Sequence, residues 1–290
     1  MGCGSSLAAD PASPRFTALG VQPPEVDPAV GPLIASLRAA SGSDGAILRL
    51  CRGPTDTSNW LLPGRVLVGS CPGSHVFGAT EEGGAKRVNS KGVVLAELRV
   101  LRTAGVTHFF NFQQRLEERK VRPHYTACLR QLTSEEANEP ELPRLPGPAV
   151  FRAPIVDGGT WSDRELLRIV DAVQSAMFSH LKAPGIIDDG DSDGPPPSVP
   201  VLYLHCYGGH GRAGVVASVL LWRLSGGGSG GSSGAQAMTG EECMELVQRC
   251  HDTRLINSIG GPDDSARRPP QKSPTSPVQV KQVLRICGGK

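Results

Sequence analysis

One short segment limits what this chain can fold into more than any other. VPVLYL, residues 199–204, is an apolar run of strand length, HCYGGHGRAG follows at 205–214, and VVASVLLW continues from Val215. A strand, a glycine-rich turn and a helix in immediate succession mark the C-terminal edge of an open α/β sheet, where such folds bind their ligands. Gly208, Gly209 and Gly211 let successive backbone N–H groups curl inward, and the first turn of the helix adds its positive dipole end, so the turn is shaped for an anion. Arg212, six positions after Cys206, can return to the same cup and offer two parallel hydrogen bonds to phosphate oxygens.

The same field acts on Cys206. A thiol beside a helix N-terminus and an arginine ionises well below its usual value of about 8.5, and the thiolate is then a nucleophile aimed at a bound phosphoryl group. His205, between strand and turn, fits an orienting role. A nucleotide P-loop is disfavoured, because the chain has no G-x4-G-K-[ST] and the turn carries no lysine.

Strand-like and helical stretches alternate elsewhere. AILRLC from Ala46 and RVLVGS from Arg65 read as β runs, KGVVLAELRVLRTA (91–104) as a helix ending before Gly105, and VTHFFNF from Val106 as a buried strand. The charged QQRLEERKVRPHY reads as a surface loop or helix. AVFRAPI is a further β run, and WSDRELLRIVDAVQSAMFSHL an amphipathic helix with a Ser162–Glu165 capping box. TGEECMELVQRC carries a second box at Thr239 and Glu242, and SPVQVKQVLRI closes the chain as a helix. The fold expected is α/β, a central and mainly parallel sheet flanked by helices in one compact domain with loop insertions. Residues 1–45 read as a disordered arm around a short helical stretch, and 46–287 as the domain, with low-complexity insertions near 183–198, 225–237 and 257–275.

HCYGGHGR resembles the H-C-x5-R signature of cysteine-dependent protein tyrosine and dual-specificity phosphatases, and its YGG and GR flanks, with VDGGTWSD upstream, are most similar to the kinase-associated, cyclin-dependent-kinase-directed group. The resemblance runs from about Trp60 to Val283. It implies a compact dual-specificity phosphatase fold, a phosphocysteine intermediate on Cys206, Arg212 as phosphate ligand, and Tyr207, Gly208, Gly209, His210 and Gly211 as the phosphate loop. It implies no metal and no cofactor. Phosphorylated Tyr, Ser or Thr would be the substrate class, with the protein acting as a monomer on phosphoprotein.

The mechanism needs an acid for the leaving oxygen and a base for water. Asp157, at the end of a β run and before two glycines, is the first candidate; Asp163 follows the Ser162 cap and fits the helix terminus better. Gln282 resembles the family's C-terminal glutamine, which positions the hydrolytic water, with a solvated helix face as the other reading. Arg254 either pairs with a carboxylate or assists the loop. Ala213 departs from the family's usual Ser or Thr, whose hydroxyl stabilises the departing thiolate. Losing such a bond costs about 1.5–3 kcal/mol and points to slow hydrolysis of the intermediate. Tyr207 and His210 stand where phosphoinositide phosphatases carry lysines, which favours phosphoprotein over inositol head groups; a glucan phosphatase and a non-catalytic phosphoprotein binder are the other readings.

A net charge of +2 gives no field for nucleic acid. Eight cysteines without a C-x2-C pair fit a reducing, cytoplasmic setting rather than zinc or disulfides. MGCGSS matches the pattern for myristoylation of Gly2, and a palmitate on Cys3 would supply the second anchor that stable membrane attachment requires.

Overall fold

The protein is described from a computed structural model covering residues 30–74, 77–79, 85–87, 91–119, 123–138, 147–179, 199–227, 237–256 and 271–288. Gly2, Cys3 and most of the three expected insertions lie outside the described residues.

Five strands form one sheet: β1 (Ser58–Leu62), β2 (Val66–Gly69), β5 (Val106–Asn111), β6 (Ala149–Arg152) and β7 (Val201–His205), in the order β1-β2-β7-β5-β6. Only the β1–β2 pairing is antiparallel; β2–β7, β7–β5 and β5–β6 are parallel. A separate hairpin pairs β3 (Phe77–Ala79) with β4 (Ala85–Arg87). The mainly parallel sheet flanked by helices is the architecture expected from the alternating pattern.

The central strand β7 is buried along its whole length, and its residues alternate between two cores. Val201 and Tyr203 join Leu67, Val106 and Phe109 under α3 (Lys91–Thr103) and α5 (Tyr125–Asn138). Leu202 and Leu204 join Val66, Val68 and Phe110 under α6 (Asp163–Met177), α7 (Gly211–Leu224), α8 (Gly240–His251) and α9 (Pro277–Ile286). A period of two on a strand covered on both faces makes this run uninterruptedly apolar.

The folded part begins earlier than the expected boundary at residue 46. α1 (Val30–Ala40) lies inside the segment read as an arm, and Val30, Ile34 and Leu37 pack into the larger core. Burying each such side chain contributes about 1.5–3 kcal/mol, enough to hold a helix that polar flanks would otherwise leave free. AILRLC is not a strand: it belongs to α2 (Asp44–Cys51), whose buried residues Ile47 and Cys51 are spaced by one helical turn. Short apolar runs fit either period until the buried face is known. α4 (Arg115–Glu118) lies in the charged stretch after β5, and α5 begins at the end of that stretch and runs through TACLRQLTSEEAN, with Tyr125, Cys128, Leu129 and Leu132 as its buried stripe.

Candidate active site

The parallel register brings three strand ends together, with His205 of β7 between Gly69 of β2 and Asn111 of β5. Cys206 follows at the sheet edge, 3 % exposed, and the turn runs into α7 at Gly211. The backbone of the turn is fixed from outside. Cys71 N–H donates to the Tyr207 carbonyl at 3.0 Å, Arg254 Nη2 to the Gly209 carbonyl at 3.1 Å, and Ser273 Oγ to the His210 carbonyl at 2.9 Å. These peptides are trans, so each outward carbonyl turns the following N–H, at Gly208, His210 and Gly211, to the opposite side, toward the cup. Gly209 N–H donates to Cys206 Sγ at 3.2 Å. Gly209 itself sits at φ +75°, and a Cβ there would overlap the Gly69 backbone, so both the turn's handedness and its closeness to β2 demand glycine.

Arg212 is fully buried, and its hydrogen bonds leave one side of the guanidinium open. Nη1 reaches Glu117 Oε2 at 2.5 Å and the Ile155 carbonyl at 3.1 Å; Nη2 reaches Glu117 Oε1 at 2.7 Å and Asp157 Oδ1 at 2.9 Å. Nε is buried and has no protein partner. Three of the five donors are therefore used in hydrogen bonds, with the Asp157 carboxylate only ion-paired beside Nη2, so the unpartnered Nε–H and the Nη2 edge it shares are what a phosphate would take with two parallel bonds. Burial alone would lower the Arg212 pKa, but the Glu117 carboxylate first, then the Cys206 and Asp157 charges, hold it above its ordinary value.

Glu117 carries no local signal of a role. It sits on α4 beyond the end of β5, held in turn by the Gln114 N–H at 2.9 Å. Its partner is 95 positions away, and within QQRLEERK nothing distinguishes it from its neighbours.

Asp157 follows β6 with its side chain 74 % exposed, against Arg212. The segment after it is tied to α9: Ser276 Oγ donates to the Gly158 carbonyl at 2.8 Å and Gln279 Nε2 to the Gly159 carbonyl at 3.1 Å. Asp163 lies elsewhere, at the start of α6, paired with Arg285 through Nε at 2.7 Å and Nη2 at 2.6 Å. The Arg285 hydrogen bond holds its carboxyl below the ordinary range.

Gln282 does not face the cup, contrary to the water-positioning reading. Its Nε2 donates to the Trp161 carbonyl at 2.5 Å and to Asp163 Oδ1 at 3.1 Å, and it is 1 % exposed, so it is not a solvated face either. The amide near the phosphate loop is Gln279, one helical turn earlier; besides its bond to Gly159, its Oε1 would lie only 2.8 Å from a Cβ on Gly211. The three-residue spacing in PVQVKQV put both glutamines on neighbouring faces, and only the docking of α9 separates them.

The histidines of the turn both have buried partners. His205 is neutral, pushed down to about 3 by burial, with Nε2 3.0 Å from the Tyr125 hydroxyl and Nδ1 3.3 Å from the Cys206 carbonyl. His210 Nδ1 lies 2.6 Å from His251 Nε2, and His251 Nδ1 lies 3.3 Å from Asp252 Oδ1. Burial, reinforced by Arg254, lowers His251 to about 4, so its ring is neutral. Tyr207 is half-buried against the α3–α5 core, and Ala213 is fully buried.

No family model matches this chain, and no curated protein was found similar to it. Solved structures share its layout at low identity. A kinase-associated phosphatase (KAP), with its catalytic-site cysteine replaced by serine, is 18 % identical over 67 % of this chain and 79 % of that one, TM-score 0.41. PTPMT1, in complex with PI(5)P, is 11 % identical over 80 % and 94 %, TM-score 0.42. Human DUSP28 is 15 % identical over 81 % and 95 %, TM-score 0.39.

Proposed function

We propose that this protein is a cysteine-dependent phosphatase acting on phosphoprotein, on Tyr and also on Ser/Thr residues, through a phosphocysteine intermediate. The observation that carries the reading is the open Nε edge of a buried arginine, above a turn whose Tyr207, Gly209 and His210 carbonyls are bonded outward and whose cysteine lies in the cup. A phosphate dianion would satisfy the Nε–H, displace Asp157 from Nη2 and collect the inward N–H groups of the loop.

In the first step, Cys206 Sγ forms a bond to phosphorus as the ester P–O bond breaks, and Asp157 gives its proton to the leaving oxygen. In the second, Asp157 takes a proton from water, the water oxygen bonds to phosphorus and the S–P bond breaks, releasing phosphate and the thiolate. Asp157 suits both steps because displacement from Arg212 frees it at the mouth of the cup, whereas Asp163 remains committed to Arg285. Tyr207 and His210 in place of lysines support phosphoprotein over an inositol head group. Acylation of Gly2 and Cys3 would add a membrane setting, and this rests on MGCGSS alone.

The test is hydrolysis of an aryl phosphate by wild type and Cys206→Ser, followed by phosphopeptides, phosphoinositides and phosphoglucans on one preparation. Turnover lost in the variant and highest on phosphopeptide is expected; equal inertness of the two proteins, with phosphopeptide binding intact, would make the protein a binder instead.

A further inference from the structure

Arg254 is a buried cation without a buried anion. It is 5 % exposed, just beyond the end of α8, and its guanidinium bonds only neutral groups: Nε to Asn59 Oδ1 at 2.7 Å, Nη2 to the Val68 carbonyl at 3.2 Å and to the Gly209 carbonyl at 3.1 Å. Among the described residues no carboxylate pairs with it, in contrast to Arg102 with Glu136 and Arg212 with Glu117. An unpaired interior charge is costly, so its retention calls for a compensating anion nearby. Burial lowers its pKa to about 10, partly offset by the nearby Tyr203, Cys206 and Asp252.

We infer that Arg254 is a second, inner cation of the anion site, a positioning residue that works through the phosphate loop rather than by touching substrate. Its contact is with the peptide between Gly209 and His210. A guanidinium on the carbonyl side polarises that peptide, and the N–H on its other side points at the cup. Arg212 therefore approaches the anion directly and Arg254 from behind, with the loop between them. The bonds to Asn59 of β1 and Val68 of β2 fix Arg254 to the sheet, so the charge cannot swing out to solvent. The other charged or ionisable groups about Cys206 are Cys71 beyond β2, Asp157 and Glu117 on Arg212, and His210 with its neighbour, the neutral His251; Arg254 is the one cation among them without a carboxylate hydrogen-bonded to it. This deepens the reading of Cys206 as the base of an anion site, but its test needs no turnover.

The test compares alkylation of Cys206 by iodoacetate and by iodoacetamide at one pH, read on the Cys206 peptide by mass spectrometry. Both reagents meet the same thiolate, so the ratio of their rates reports the electrical field at the sulfur and cancels differences in ionisation. Arg254→Met should lower the iodoacetate to iodoacetamide ratio by about fivefold, the order expected of one solvent-screened charge, while Arg254→Lys keeps it within about twofold of wild type. Arg254→Gln, which retains an amide donor for the Gly209 carbonyl, serves where the Met variant fails to fold and should lower the ratio equally. An unchanged ratio in a folded Met or Gln variant, or a Lys variant that falls as far as they do, overturns the inference. A preserved field effect with no phosphatase activity would instead leave it standing and remove the enzyme reading.

Discussion

Glu117 grips both terminal nitrogens of Arg212, at 2.5 and 2.7 Å, with both side chains largely shielded from water. Their pairing decides which guanidinium edge is presented to the cup. Removing one member of a buried pair leaves an uncompensated charge and costs about 3–5 kcal/mol. Glu117→Ala should lower stability by that order in urea unfolding at pH 7. Glu117→Gln, nearly the same size and still able to accept one bond, should fold but raise KM for an aryl phosphate more than it lowers kcat, since it loosens the arginine in the ground state. Equal KM in wild type and the Gln variant would show that Arg212 keeps its orientation without the charge.

The two acidic candidates separate by environment. Asp157→Asn should reduce kcat by about 10²–10⁴ on substrates with poor leaving groups, the range for loss of a general acid, and much less on activated aryl esters. Asp163→Asn should leave kcat within about twofold. Its effect belongs to stability: the Asp163 carboxyl is held below its ordinary value, so the contribution of its pair with Arg285 is complete above about pH 4 and lost as pH falls below that. The pair is exposed and screened by solvent, so the change is small. Comparing the unfolding midpoints of the Asn variant and wild type between pH 3 and 6 reads it; the reverse ranking in kcat would move the acid to Asp163.

Buried histidines beneath the loop set an acid limit. His205 and His251 are held down to about 3 and about 4, below the ordinary value near 6.5, so the unfolded chain takes up protons that the native protein refuses. Their contributions are complete above about pH 6.5 and are lost as pH falls, each at about 1.4 kcal/mol per pH unit, down to their folded values. Glu97 runs the other way. Burial raises it to about 7, so its contribution is present below about 4.5 and lost as pH rises through 7. Glu97→Gln should therefore steepen the rise of stability between pH 4.5 and 6.5, and His251→Gln should flatten it by about one proton. A His251→Gln slope identical to wild type would mean that His251 is protonated in the folded state.

The sequence made the strand, turn and helix around Cys206 legible because each is a local pattern: an apolar run buried on both faces, three glycines, and a helix beginning at the arginine. The capping boxes at Ser162 and Thr239 were equally readable, and both form, with the cap hydroxyls accepting from Glu165 and Glu242 N–H at 3.2 Å. What stayed hidden is what depends on distant docking. Glu117 acquires its role only when β5 lies beside β7, and Gln279 rather than Gln282 meets the loop because of how α9 turns on α7. AILRLC suits a strand by local pattern, because Ile47 and Cys51 define a helical face only once α8 covers it; Cys250 of α8 lies 3.1 Å from Cys51, sulfur to sulfur. Ser273, in a segment that reads as low-complexity, fixes a loop carbonyl, a hydrogen bond across 63 positions that composition cannot encode.

Ala213 makes the second chemical step the one to measure. It is wholly buried in the first turn of α7, directly after Arg212, and its methyl group offers no donor to the sulfur that departs when phosphocysteine is hydrolysed. Formation of the intermediate draws on Arg212, the loop N–H groups and Asp157, none of which Ala213 alters. Breakdown alone lacks a hydrogen bond to a developing charge, worth about 1.5–3 kcal/mol, or roughly ten- to hundredfold in rate. Rapid mixing with an aryl phosphate should thus give a burst of phenol stoichiometric with enzyme, then a slow steady state, with phosphate bound to Cys206 trapped by acid quench. Ala213→Ser adds one oxygen and should abolish the burst while raising kcat by about tenfold or more. A wild type without a burst, with phosphate and phenol released together from the first turnover, would place the slow step before the intermediate and leave Ala213 no part in it.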